Sequence, residues 1–418
     1  MSGAEPLKRR WFTPPPGIKI KTLPLLLALA VFVAAVVPLV AGGRQGRRAA
    51  ATPPTTAPAV RSRPAVGAAT WPAKGGDWPA FQGGGALLGV ASDAPAPPLE
   101  RLWTFKAQED IVGSAAIAQG IVYVGDMGGT LYAVDLKDGT PRWKYKAEGG
   151  FSASPLVFDG RVYVGDQEGV FHAVSARTGQ RLWQVKTDGE IKSSANLVDG
   201  KIVFGSYDNH LYCVDAQSGA VLWKRRTGNY VHCTPAVSAG TVYVAGCDAR
   251  LTAVDGATGD VIDTADLKDP AAAAPLVLEE TVVAATMGGK VYGFDRINLA
   301  EKWQYAVEGG AFFSSPACAG GRIVVGGKDR KVHAIDAATG AGAWTFSTLG
   351  DVDSSAVIGG GRVYVGGTDG KLYVLDLATG KRLWAFTAGR QIKAAPAIAA
   401  GMVVVGDTGG RLYCLGRR

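Results

Sequence analysis

The chain has 418 residues, of which 47% are hydrophobic, with 58 Gly, 22 Pro and a formal charge of +8. That composition excludes a disordered chain and suits a packed, turn-rich protein. Residues 1–77 hold 11 Lys and Arg against Glu5 and Asp77, which leaves 33 bases and 34 acids for the rest; the folded part is near neutral, and no nucleic-acid partner is expected.

Residues 1–21 form a basic tail with Lys8, Arg9, Arg10, Lys19 and Lys21. Residues 22–43, "TLPLLLALAVFVAAVVPLVAGG", carry no charge and are long enough to cross a bilayer as a helix. Five bases before this run against Arg44, Arg47 and Arg48 after it favour a cytoplasmic N-terminus. The run is longer than a signal-peptide core, and "VAGGRQG" is a poor cleavage site. A retained, single-pass signal anchor in the inner membrane is therefore expected, with a cleaved signal peptide as the rival. Residues 44–76 are rich in Pro, Ala and Thr and read as an extended linker. It would hold residues 77–418 away from the membrane, on the periplasmic or extracellular side.

From there one paragraph of sequence repeats. The "VYVG" element starts at Val122, Val162, Ile202, Val242, Val282, Ile323, Val363 and Val403, always 40 or 41 residues apart. Each period carries four short apolar runs separated by turn signals such as Asp159-Gly160. Four antiparallel strands per period of this length predict an all-β, eight-bladed β-propeller. The ends predict how it closes. "RLWTFKA" at Arg101–Ala107 is a fourth strand without the preceding three, and "GRLYCLGRR" is a third strand without a fourth. The strand around Trp103 should therefore complete the last blade and remove a free edge.

Within the repeat, Asp135, Asp215, Asp255, Asp295, Asp336 and Asp376 precede x-x-T-G-like turns, where a carboxylate caps N–H groups and Gly139 or Gly179 supplies positive φ. Trp103, Trp143, Trp183, Trp223, Trp303, Trp344 and Trp384 recur in step, and Asp263 stands where the eighth would be. They are expected to pack between neighbouring blades, each worth about 3–5 kcal/mol if fully buried.

The runs "LYAVDLKDGTPRW", "LYCVDAQSGAVLW" and "LYVLDLATGKRLW", with the lead-in "DWPAFQGGGALLGV" from Asp77, resemble the tryptophan-docking repeat of pyrroloquinoline-quinone (PQQ)-type propellers. The resemblance spans about 77–418 and is specific for the fold. It leaves function open, because such repeats occur in quinone-dependent dehydrogenases and in non-catalytic BamB-like scaffolds for outer-membrane assembly. The dehydrogenases of this kind imply a calcium ion held by carboxylate and amide oxygens, an Asp base and, in many members, a disulfide of adjacent cysteines. This chain has no Cys-Cys pair, and its near-constant period leaves no room for an inserted ligand loop. Neither PQQ nor calcium is expected, and the preferred reading is a non-enzymatic protein-binding scaffold. A PQQ-dependent dehydrogenase and a small-ligand sensor using the central channel are the alternatives.

Variation between copies marks where a partner should bind. Loops from the fourth strand to the next first strand share a face with the second-to-third-strand loops, and these differ most. Tyr207, Asp208, His210, Tyr230 and His232 are expected to gather there on adjoining blades, with Phe312, Phe313, Lys328 and Arg330 as a second cluster. Cys213, Cys318 and Cys414 read as small core residues. Cys233 and Cys247 flank one hairpin, where a disulfide is chemically permitted in an exported domain.

Overall fold

Second strands such as Arg161–Gly165 are buried at every position after the first, whereas fourth strands such as Arg181–Lys186 alternate between exposed and half-buried positions. A strand covered on both faces loses the period-two pattern, and a strand at a sheet edge keeps it. That gradient repeats around a ring. In the computed structural model, which describes residues 76–417, thirty-two strands form eight four-stranded antiparallel sheets. Blades 1 to 7 span 116–146, 156–186, 196–226, 236–266, 276–306, 317–347 and 357–387. Blade 8 takes three strands from 397–416 and its outer strand from Glu100–Lys106, paired antiparallel through Trp103↔Cys414. This is the predicted closure. The basic tail, the apolar run of 22–43 and all but the last residue of the linker lie outside the described residues; among those described, no helix is long and apolar enough to cross a membrane.

Six of the eight "VYVG" elements end in glycine, the other two in Ala245 and Ala285, and the small residue there has a packing reason. A Cβ on Gly165 would lie 2.1 Å from Ile191 Cγ2, and one on Gly125 would lie 2.4 Å from Phe151 Cβ. In each case an apolar residue of the following interblade loop sits directly on the bare backbone, and the same position recurs as Ile111, Val231, Phe312, Val352 and Ile392. All of these are buried at 0–1% exposure.

Five of the seven indoles bond a backbone carbonyl of the next blade, whereas the buried Trp303 Nε1 has no partner among the described residues. Trp143 Nε1 donates to Ala176 O at 2.9 Å in the next blade, and Trp103 Nε1 donates to Leu136 O at 2.8 Å. The ring lies on the turn glycine: a Cβ on Gly179, at φ +71, would come within 2.6 Å of Trp143. The turn carboxylates also cap as expected, with Lys137 N donating to Asp135 Oδ1 at 2.9 Å. One feature of the outer strand is new. The pairing slips by one residue just before each Trp position, so that Arg142, Leu182 and their equivalents are bulged out.

The lead-in runs around the inside of the ring. The innermost strand of a propeller blade has a free edge facing the axis, and its central N–H needs an acceptor. Residues 77–93 supply acceptors in blade order. Ile117 N bonds Trp78 O at 2.7 Å, Val157 N bonds Pro79 O at 2.7 Å, and Val237 N bonds Gly85 O at 2.8 Å. Val277, Cys318 and Ile358 follow on Ala86, Leu88 and Gly89, and Asp93 Oδ2 accepts Gly401 N in blade 8 at 3.2 Å. In blade 3 the lead-in turns away, and Asn196 bridges the gap: its side chain bonds Gly85 N, Gly85 O and Pro235 O.

Candidate functional site

The fourth-to-first-strand loops and the second-to-third-strand loops share one face, held together by bonds such as Ala147 N to Gly129 O and Phe151 N to Asp126 O. At its centre the axis opens as a polar funnel of about 170 Å³. Its rim consists of the same repeat position in successive blades, occupied by Val112, Ser152, Lys192, His232, Ala272, Phe313, Asp353 and Lys393. Phe81 of the lead-in also lines the funnel; Gln82, the next residue, lines a larger and more apolar cavity of about 480 Å³ beside Leu88, Val90 and Val277.

Three of the residues expected on blades 3 and 4 gather at this rim. Tyr207 and Tyr230 stack with ring centroids 4.8 Å apart and planes 2° from parallel. The Tyr207 hydroxyl lies 2.5 Å from His232 Nδ1, and Lys192 Nζ stands 4.7 Å over the Tyr207 ring. Burial, reinforced by the Lys192 charge, pushes the His232 pKa down to about 4. The imidazole is therefore neutral at pH 7, with Nδ1 turned to the Tyr207 hydroxyl and Nε2 on the other side of the ring. Burial likewise raises the Tyr207 phenol above its ordinary range.

Asp208 and His210 are placed differently: they build the hairpin beside the platform. Asp208 Oδ1 accepts His210 N at 3.0 Å, Tyr212 donates to the other oxygen, and His210 Nδ1 faces the Asp208 carbonyl at 2.9 Å. In the second cluster, Lys328 Nζ stands 5.1 Å over the half-exposed Phe313 ring and pairs with Asp353 at 2.6 Å and Asp351 at 3.5 Å. Phe312 does not join them. It is 1% exposed and meets His333 edge-on at 5.5 Å, because it occupies the apolar plug position of its loop. Arg330 is exposed in a left-handed turn at φ 61, where its carbonyl receives Thr348 N.

Cys233 and Cys247 are not joined. Cys233 is buried with its Sγ against Ala245 O, while Cys247 Sγ points toward Ala271 O, 3.9 Å away. The hairpin places residue 233 opposite 246, and this one-residue offset turns the two thiols to different neighbours. Burial raises Cys233 to about 12, which makes it an inert thiol. Cys213, Cys318 and Cys414 are buried in the core.

Two groupings resemble proton relays. Tyr145 OH lies 3.0 Å from His172 Nδ1, and His172 Nε2 lies 2.8 Å from Asp166; Tyr305, His333 and Asp329 repeat the arrangement. Both imidazoles are 1–2% exposed, and other blades have Tyr132, Tyr212, Tyr373 and Tyr413 at the same position. Here histidine replaces a structural tyrosine beneath the loop carboxylate, with no access for substrate.

The rim residues Lys192, Asp353 and Lys393 were absent from the sequence-based expectation. Superimposing the interblade loops on their 40-residue register would have exposed them, since they share the column of His232 and Phe313. The funnel's fit to a quinone and calcium is poor. A calcium ion takes six to eight oxygen ligands; the lining offers one carboxylate, Asp353, already paired with Lys328. Among the described residues no group of three or more His, Cys, Asp or Glu is placed to hold a metal. The funnel volume also falls below the roughly 300 Å³ at which drug-sized ligand sites begin.

Known proteins share this architecture. BamB from Moraxella catarrhalis superimposes with a TM-score of 0.67 at 20% identity, over 77% of this chain and 98% of that one. The quinohemoprotein alcohol dehydrogenase from Comamonas testosteroni does so with a TM-score of 0.72 at 15% identity, over 82% and 81%. A europium-containing methanol dehydrogenase gives a TM-score of 0.68 at 13% identity, over 82% and 98%. At these identities the likeness is one of fold and does not separate scaffold from enzyme. Among curated protein sequences none matches this chain. Residues 100–226, 167–326 and 308–418 each match one family of PQQ-type propeller repeats, and together they cover every blade. The chain belongs to the family described as outer membrane protein assembly factor BamB.

Proposed function

We propose that this protein is a non-enzymatic scaffold, tethered to the inner membrane by residues 22–43 and displayed outside the cytoplasm, which docks a protein partner on its loop face. The observation that carries this reading is the platform of Tyr207, Tyr230, His232 and Lys192. A stacked aromatic pair with one ring 47% exposed, beside a lysine, is the kind of rigid amphipathic anchor that dominates protein interfaces. It also stands where the repeat departs from its own pattern. Family membership supports assembly of envelope proteins as the specific role.

A photo-cross-linking residue at position 230 should give a discrete adduct in the native envelope, and the same residue at position 182 on the outer edge should give none. Equal labelling from both positions would remove the loop face from consideration. The competing reading, a quinone-dependent dehydrogenase, predicts dye-linked alcohol oxidation after reconstitution with PQQ and calcium. Activity in that assay would overturn the scaffold reading.

A further inference from the structure

The funnel's throat is rich in donors and poor in acceptors. Ser114, Ser154, Ser194, Ser315 and Ser355 circle it, each 4–6% exposed. Each hydroxyl oxygen accepts a backbone N–H from the preceding blade at 2.8–3.0 Å, with Ala395 N to Ser114 joining blade 8 to blade 1, while Thr234, Ala274 and Ala395 hold the other three positions. That bond orients the oxygen and leaves the O–H as a donor. Among the described residues none of these five hydroxyls donates a hydrogen bond.

Above this ring stand further donors. Ser152 Oγ has no partner, neutral His232 lines the funnel, and Lys393 forms no ion pair among the described residues. Lys192 adds a second ammonium, shared with Glu190 at 2.8 Å. The lining's one carboxylate, Asp353, is held by Lys328. A buried ring of oriented O–H groups beneath ammonium groups matches a ligand that only accepts, and an ionised carboxylate accepts at both oxygens.

We propose that the throat is a receptor for a single carboxylate group. The volume of about 170 Å³ suits a small dicarboxylate or the last residue of a peptide. Two sources can present that group: a free small carboxylic acid, or the C-terminus of a polypeptide lying on the loop face. The site does not depend on whether the surrounding face docks a protein.

Isothermal titration of the full-length chain in detergent with succinate, with Ala-Ala-Ala and with the C-terminal amide of that tripeptide tests this. At least one of the two acids should bind, and the amide should bind at least tenfold more weakly than the free tripeptide or not at all. Lys393→Gln should weaken acid binding about tenfold, the loss expected for one charge-assisted bond. Ser152→Ala, which touches no bond of the fold, should weaken it by a few-fold; an unchanged Tm in both variants keeps the comparison free of folding effects. Succinate binding alone assigns the free acid as the source, and tripeptide binding alone assigns the chain terminus. No binding by either acid, amide binding as tight as the free tripeptide, or full affinity in both variants would show that the throat holds only water.

Discussion

Seven of the eight junctions in the ring are of two kinds, and their difference shows what the repeat is for. At six junctions an indole lies on a glycine: Trp103 on Gly139, Trp143 on Gly179, Trp183 on Gly219, Trp223 on Gly259, Trp303 on Gly340 and Trp344 on Gly380. Between blades 4 and 5 both members change. Asp263 stands at the indole position, and Leu299, with φ 50, stands where glycine would be. Leu299 is 4% exposed and packs in the cluster that includes Tyr292, Phe294 and Val254. Without a ring above it the turn need not be bare, so a side chain buries itself there instead. Arg296, at the position that elsewhere offers a carbonyl beside a small or apolar side chain, is 5% exposed and bonds Glu279 O at 2.7 Å. Blade 5 also has the shortest first strand, Leu276–Val277. One junction can thus be rebuilt when neighbouring positions change together, because the ring needs volume filled between blades and not the indole itself.

The largest expected effect comes from breaking an indole junction where the ring closes. Trp103→Ala removes a side chain 8% exposed together with its bond to Leu136 O, and should cost about 3–5 kcal/mol, read from the denaturant midpoint. Gly219→Ala places a Cβ 2.6 Å from Trp183 at φ +76, and should cost about 2–4 kcal/mol in the same measurement. The rebuilt junction should behave in the opposite sense. Asp263→Trp alone overpacks against Leu299 and should cost about 1–3 kcal/mol, whereas adding Leu299→Gly should restore stability. A double-mutant cycle showing no coupling between positions 263 and 299 would break the comparison.

Away from the junctions, pH sets a smaller effect. The His232 pKa of about 4 lies below its unfolded value of about 6.5, so the unfolded chain binds more protons between those pH values. Stability from this group is full above about pH 7, falls as pH drops through 6.5, and levels off below 4. At pH 5 the loss should be about 1–2 kcal/mol, and His232→Gln should remove that slope from a midpoint-against-pH plot. Smallest of all, Lys328→Ala breaks half-exposed pairs with Asp351 and Asp353 and should change stability by about 0–1 kcal/mol.

Most of the fold was legible because each blade repeats the same local signals at the same spacing, and a repeat cannot bury its apolar strands without identical neighbours. The candidate site was legible only in part. Tyr207, Tyr230 and His232 were found because they interrupt the pattern, and they meet because their loops share a face. Phe312 was misplaced because it lies one residue before the rim position, and on a loop one step exchanges the buried plug for the exposed rim. Lys192, Lys393 and the serine ring went unnoticed because each looks ordinary in its own blade. Only the circle makes them neighbours.

By itself the sequence determined the number of blades, the four strands in each, the closure by the strand at Trp103 and the docking of the indoles. These rest on contacts between residues close in the chain or one period apart. Only the tertiary structure decided the path of the lead-in around the axis, the composition of the funnel rim and the filling of the blade 4–5 junction. Those depend on residues from all around the ring meeting at one place, which no local pattern encodes.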